Sequence, residues 1–173
     1  MWFSFFVFSV VIMSIYVSCK LFVSYIAFFN KKFLSISKRY NALSEELRSI
    51  LCEADSNNGK FINFYAILLA ERIVLEFVDE VIRENFSRLN YQLSNSDFVN
   101  FMKHKQEQSE EVAGWTQAGR DKVIVKLKNF SVEAGYLEKN NDGFLIKKPV
   151  IDSSIINAIE NQSGNKFLKI LLY

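Results

Sequence analysis

Proline occurs once in these 173 residues, histidine once and cysteine twice, and each scarcity removes a class of protein from consideration. With one proline and half its residues hydrophobic, the chain is not linker-rich or disordered, and helices are expected instead. Cys19 and Cys52 lie too far apart for metal spacing, which excludes a disulfide framework and leaves reduced structural thiols in a reducing compartment. His104 stands between Lys103 and Lys105, the setting of a surface residue rather than a ligand or base. No glycine loop cradles a phosphate, because Gly59 and Lys60 lack the upstream glycine that such a loop requires. Paired histidines, a nucleophile elbow and internal repeats are also missing. An enzyme is therefore not expected, nor a cofactor or metal. A net charge of +2 and a pI near 8.4 are too mild to announce a nucleic-acid binder, so only local clustering of charge can argue for one. The length suits one compact domain or two small helical subdomains.

What is present begins with a greasy start. Met1 to Asn30 carries a single charge, Lys20, and residues 2–28 are long enough to span a bilayer. Lys20, Lys31, Lys32, Lys38 and Arg39 would then hold the following domain in the cytoplasm, anchored to the inner membrane. A cleaved signal peptide fits less well, for want of a basic n-region and a small-residue cleavage site. The alternative is an unusually apolar first helix of a cytoplasmic domain, or a start or reading frame that differs from the chain's relatives.

Periodicity then predicts helices. Ser35 to Leu51 places Ile36, Tyr40, Leu43, Leu47 and Ile50 on one side, and a polar loop is expected over Asp55 to Lys60. Phe61 to Asn85 reads as one broad, central helix, with Glu71, Arg72, Glu76, Asp79, Glu80, Arg83 and Glu84 as its solvated face. Ser94 and Asp97 have capping-box spacing and open a helix through Phe98, Phe101 and Met102 to about Glu111. Asp152 caps a last helix that Gly164 ends, ahead of an apolar piece expected to pack back on the body.

Trp115 to Pro149 is the most informative stretch. Thr116 can cap a helix that turns Val123, Leu127, Phe130 and Ala134 inward, while Arg120, Lys122, Lys126, Lys128 and Asn129 cover the rest. Gly135 supplies a stop, and the turn Asn140 to Gly143 joins two short strands followed by Lys147 and Lys148. Helix followed by basic hairpin is the outline of a winged helix-turn-helix, and it gives a set of expected DNA contacts. Phosphates would meet Lys122, Lys126 and Lys128 on the helix that Thr116 starts and Lys147 and Lys148 on the wing; base edges would meet Gln117, Arg120 and Asn129. Many small domains also pass from helix to hairpin with solvated lysines and bind no nucleic acid.

The runs FYAILLAERIVLEFVDEVIREN and LSNSDFVNFMKHKQEQSEEVAGWTQAGRDKVIVKLKNFSVEAGYLE resemble the BrxA family of bacterial phage-exclusion (BREX) systems, over roughly residues 33 to 160. The points of likeness are Phe77, Glu80, Val81 and Glu84, the serine-aspartate-phenylalanine helix start, the threonine-led helix and the exit Glu133 to Leu137. The resemblance implies a mainly all-α protein, with a NusB-like helical bundle over 31–112, a winged helix-turn-helix over 113–149 and C-terminal helices over 150–173. It also implies a non-catalytic, double-stranded-DNA-binding component acting beside a methyltransferase and an ATPase. Two other readings stay open: a protein-interaction scaffold of a defence complex, and a membrane-anchored protein with a cytoplasmic helical domain.

Overall fold

The computed structural model describes residues 33–172, which form helices and one small antiparallel sheet, as the mainly helical expectation required. The chain divides into two compact units, Met1–Tyr40 and Asn41–Tyr173, and the second carries the core and the sheet. The proposed membrane span over 2–28 lies outside the described residues. Among the described residues no helix is long and apolar enough to cross a membrane.

The helix expected over 35–51 is two helices. Helix α1, over 33–42, stops before the buried Leu43, and α2 (Glu45–Glu53) starts behind Ser44, whose Oγ accepts from the Leu47 amide at 3.3 Å. Serine caps a new helix more readily than it continues an old one, because its hydroxyl competes for backbone donors. Gln162 closes the junction, accepting from the Ser44 amide at 2.9 Å and donating to the Ala42 carbonyl at 2.7 Å.

The expected loop at 55–60 is instead the first turn of α3 (Ser56–Ala70), capped by Asp55, which accepts from the Asn58 amide at 2.8 Å. Polar residues there fill the exposed start of a helix whose later part is buried almost all round, from Phe61 to Leu68. The continuous helix expected to Asn85 breaks at Glu71 (φ −127°, ψ 94°), whose carbonyl takes the amides of Val74 and Leu75 and so starts α4 (Arg72–Phe77). A π-helical segment, Val78–Arg83, and a short α5 (Glu84–Ser87) complete the run.

The charges on this run are not all solvated, contrary to the sequence reading. Arg72–Glu76 and Arg83–Asp79 are pairs at helical spacing, but Glu76 and Glu80 also reach Lys105, at 2.9 and 2.6 Å. Lys105 is only 5% exposed. A lysine so deep must be paired, and here the two carboxylates and Gln108, at 3.0 Å, do it. Burial alone would lower the Lys105 pKa, yet the hydrogen bonds to Glu80 and Glu76 outweigh it and hold the ammonium above its ordinary value.

Strand β1 (Gln92–Leu93) leads to α6 (Asn95–Gln108), whose capping box forms as its spacing predicts, with the Ser94 amide donating to Asp97 at 2.7 Å. That helix stops short of Glu111, because Ser109 is extended (φ −141°, ψ 118°) and starts a separate turn, α7 (Glu110–Ala113). Helix α8 (Gln117–Glu133) follows, then β2 (Leu137–Asn140) and β3 (Gly143–Ile146). The strand order is β1-β3-β2, all antiparallel. Glycine is required at 143, where φ is +149° and an added Cβ would lie 2.3 Å from the Leu93 carbonyl oxygen.

Helix α9 (Ser153–Leu172) is interrupted at Gly164 (φ 68°, ψ −179°) and then resumes. Asp152 contributes its carbonyl to the first amides, while its carboxylate takes the Asn58 side chain at 2.6 Å. The final turns do pack back on the body: the Tyr136 hydroxyl donates to the Leu171 carbonyl at 3.0 Å. The same ring lies 5.1 Å from Phe64 and 6.3 Å from Phe61, which ties the start of the hairpin to α3.

Candidate nucleic-acid interface

The Thr116 hydroxyl accepts from the Gly119 amide at 3.1 Å and opens α8 as its sequence position suggests. Leu127 and Ala134 are buried, and Val123 and Phe130 are half-buried against the core, so the inward stripe is the expected one. Ser131 joins it, fully buried, with its hydroxyl lacking a hydrogen-bond partner among the described residues. The opposite face therefore looks outward. It presents Lys122, Lys126 and Asn129, all exposed, and neither lysine forms an ion pair among the described residues. Gly135 (φ 79°) then ends the helix, and the Tyr136 amide donates to the Ser131 carbonyl at 2.9 Å, sending the chain into the hairpin beside the end of α8.

Between α8 and the hairpin lies an open cleft of about 540 Å³, with Lys128, Asn129, Lys139, Asn140 and Phe144 among its walls. Lys128 is not a free cation on this surface. Its Nζ donates to Asn95 Oδ1 at 2.7 Å and lies 5.0 and 5.9 Å from the ring centres of Phe98 and Phe144, and burial pushes its pKa down. One side chain thus joins α8 to the start of α6 and to β3.

The remaining expected contacts are dispersed. Gln117 and Arg120 are engaged with each other at 2.8 Å, Gln117 also donates to Asp121 at 2.8 Å, and Arg120 reaches the Trp115 carbonyl. Lys147 pairs with Glu138 across the strands. Lys148 is exposed, beside a separate recess of about 240 Å³ that Lys60 also lines, at the base of the hairpin rather than its tip. Of the nine residues singled out from sequence, Lys122, Lys126 and Asn129 share one open face, with Thr116 at its start. Two residues were overlooked. Lys139 lies on the cleft next to the turn, where a basic residue adjoining a hairpin tip could have been noticed, and Val125 is 54% exposed at the edge of the lysine face.

This surface offers ammonium and amide donors together with the carboxylates of Glu133 and Asp142, and no group of His, Cys, Asp and Glu among the described residues could hold a metal.

Comparison with known proteins adds three likenesses. A family model described as BrxA matches residues 29–163. The "BREX protein BrxA" of Bacillus cereus (strain H3081.97) is 30% identical over 142 residues, covering 80% of this chain and 69% of that protein. Among solved structures, an uncharacterized protein from Magnetospirillum magneticum superposes with a TM-score of 0.69 at 16% identity, over 79% of this chain and 72% of that one, a likeness of fold alone. With the family model covering most of its length, the chain belongs to the BrxA family.

Proposed function

We propose that the chain is a non-catalytic, DNA-binding component of a bacterial phage-exclusion system. In this reading the winged helix-turn-helix expected over 113–149 takes in α6 as well and is carried on a NusB-like bundle, α8 enters the major groove, and the β2–β3 hairpin lies along the backbone as the wing. The observation that carries it is the pair Lys122 and Lys126: two exposed ammonium groups without a carboxylate partner among the described residues, on the outward face of a helix flanked by a hairpin that adds Lys139. Unpaired cations in a row suit phosphates, whose counterions they release. The strand order β1-β3-β2, with α6 and α8 between β1 and β2, is consistent with the assignment. The defence role rests on the printed name of the Bacillus cereus relative and on family membership. A methyltransferase and an ATPase of the same system are the protein partners this reading expects.

The test is the double variant Lys122→Glu/Lys126→Glu in a gel-shift assay. Retention of duplex DNA should be lost while the helical circular-dichroism signal stays, since both side chains point into solvent. Unchanged retention would refute the assignment.

A further inference from the structure

We infer that Val125 reads the 5-methyl group of thymine in the major groove, an inference that rests on the DNA-binding reading above. Val125 lies on the side of α8 opposite the buried Leu127, and is 54% exposed. Lys122 lies one turn before it and Asn129 one turn after, with Lys126 beyond them on the same side of the helix and Asp121 on the other, all exposed. A β-branched residue gains nothing from an exposed helix position, where straight-chain side chains are the better helix formers. Lysines that bind phosphate would bring this face against the groove floor, where the one apolar group on base edges is the thymine methyl. Asn129 stands about 6 Å further along the axis, given ~1.5 Å of rise per residue, a distance of one to two base-pair steps at ~3.4 Å each. An amide there can pair with the N6 and N7 edge of adenine. An exposed apolar side chain, an amide one turn later and two cations beside them together describe a reader of A·T pairs.

The test uses the full chain and two duplexes of alternating A·T pairs, one with thymine and one with uracil throughout. They share backbone charge and minor-groove chemistry, and differ in the methyl group alone. The chain should bind the uracil duplex about fourfold more weakly, the factor expected for one buried carbon. Val125→Ala, whose shorter side chain makes less contact with the methyl, should discriminate between the two duplexes less than the parent chain does, with the salt dependence of binding unchanged. That variant puts fold integrity at no risk, because the position is exposed and alanine is the better helix former. Equal binding of both duplexes by the parent chain, or full discrimination retained by Val125→Ala, overturns the inference while leaving DNA binding in place. Absence of binding to either duplex overturns the DNA-binding reading, and this inference with it. A fall in solution mass on Val125→Ala would assign the face to a second copy of the chain and equally overturn it.

Discussion

Replacing Lys128 with methionine separates two roles that a lysine on α8 can have. In the structure its ammonium donates to Asn95 at 2.7 Å and rests over Phe98 and Phe144, so it joins three elements rather than facing solvent. Methionine keeps the apolar stem against both rings and removes the charge. Lost are one charge-assisted hydrogen bond at an exposed site, about 1 kcal/mol, and two ring contacts of about 0.5 kcal/mol each. Relief of the ammonium's desolvation returns part of this, leaving a net loss of about 1–2 kcal/mol. For a chain of this size that lowers Tm by about 2–8 °C. The companion measurement is the slope of log Kd for duplex DNA against log salt. A lysine bound to phosphate contributes about 0.9 to that slope. Lys128→Met should leave it unchanged, whereas Lys122→Gln should reduce it by about 0.9 and spare Tm. An unmoved Tm with a slope lower by about 0.9 in Lys128→Met would refute the reasoning and return Lys128 to the phosphate contacts.

Gly143→Ala should be severe, because the new Cβ would meet the Leu93 carbonyl at 2.3 Å on a backbone already at φ +149°; a loss of about 3 kcal/mol or more in urea unfolding is expected. Gly59→Ala, in the first turn of α3 with nothing within 4 Å of its Cβ, should instead stabilise by about 0.5–1 kcal/mol in the same assay. Lys105→Met should cost about 1–2 kcal/mol by removing the ammonium that joins Glu76 and Glu80, although Glu76 keeps Arg72 and Glu80 stays part-exposed. It should also bring acid unfolding on at higher pH. Burial would raise the Glu76 pKa, but hydrogen bonds from Lys105 and Arg72 outweigh it and hold the carboxyl below its ordinary 4.5. Its contribution is thus full above pH 4.5 and is lost as pH falls through the depressed value, so removing Lys105 moves the acid midpoint upward. An acid midpoint unmoved in Lys105→Met would contradict the pairing.

Local signals were readable where a side chain acts on its own neighbourhood. The Thr116 cap, the Ser94–Asp97 box, the stop at Gly135 and the Asn141–Asp142 turn each follow from short-range chemistry, and each stands where the sequence placed it. Breaks set by tertiary packing were not readable. Glu71 carries no glycine or proline to mark it, and Ser44 looked like one polar position among others until Gln162, far along the chain, met its amide. Strand β1 is two residues long, too short to show alternation, and exists because β3 offers an edge and Gly143 lets Leu93 approach. The lysines were all visible as charges, but periodicity cannot tell a cation in solvent from one held over two rings. Lys122 and Lys128 differ in their neighbours, which come from α6 and β3.

The open face of α8 is tested most directly by titrating the full chain onto duplex DNA across a range of salt concentrations, alongside Lys122→Gln/Lys126→Gln. The account predicts that affinity falls steeply with salt, and that the double variant flattens the log–log slope by about 2 without changing the fold. Parallel lines for parent and variant would contradict it, whatever the absolute affinity.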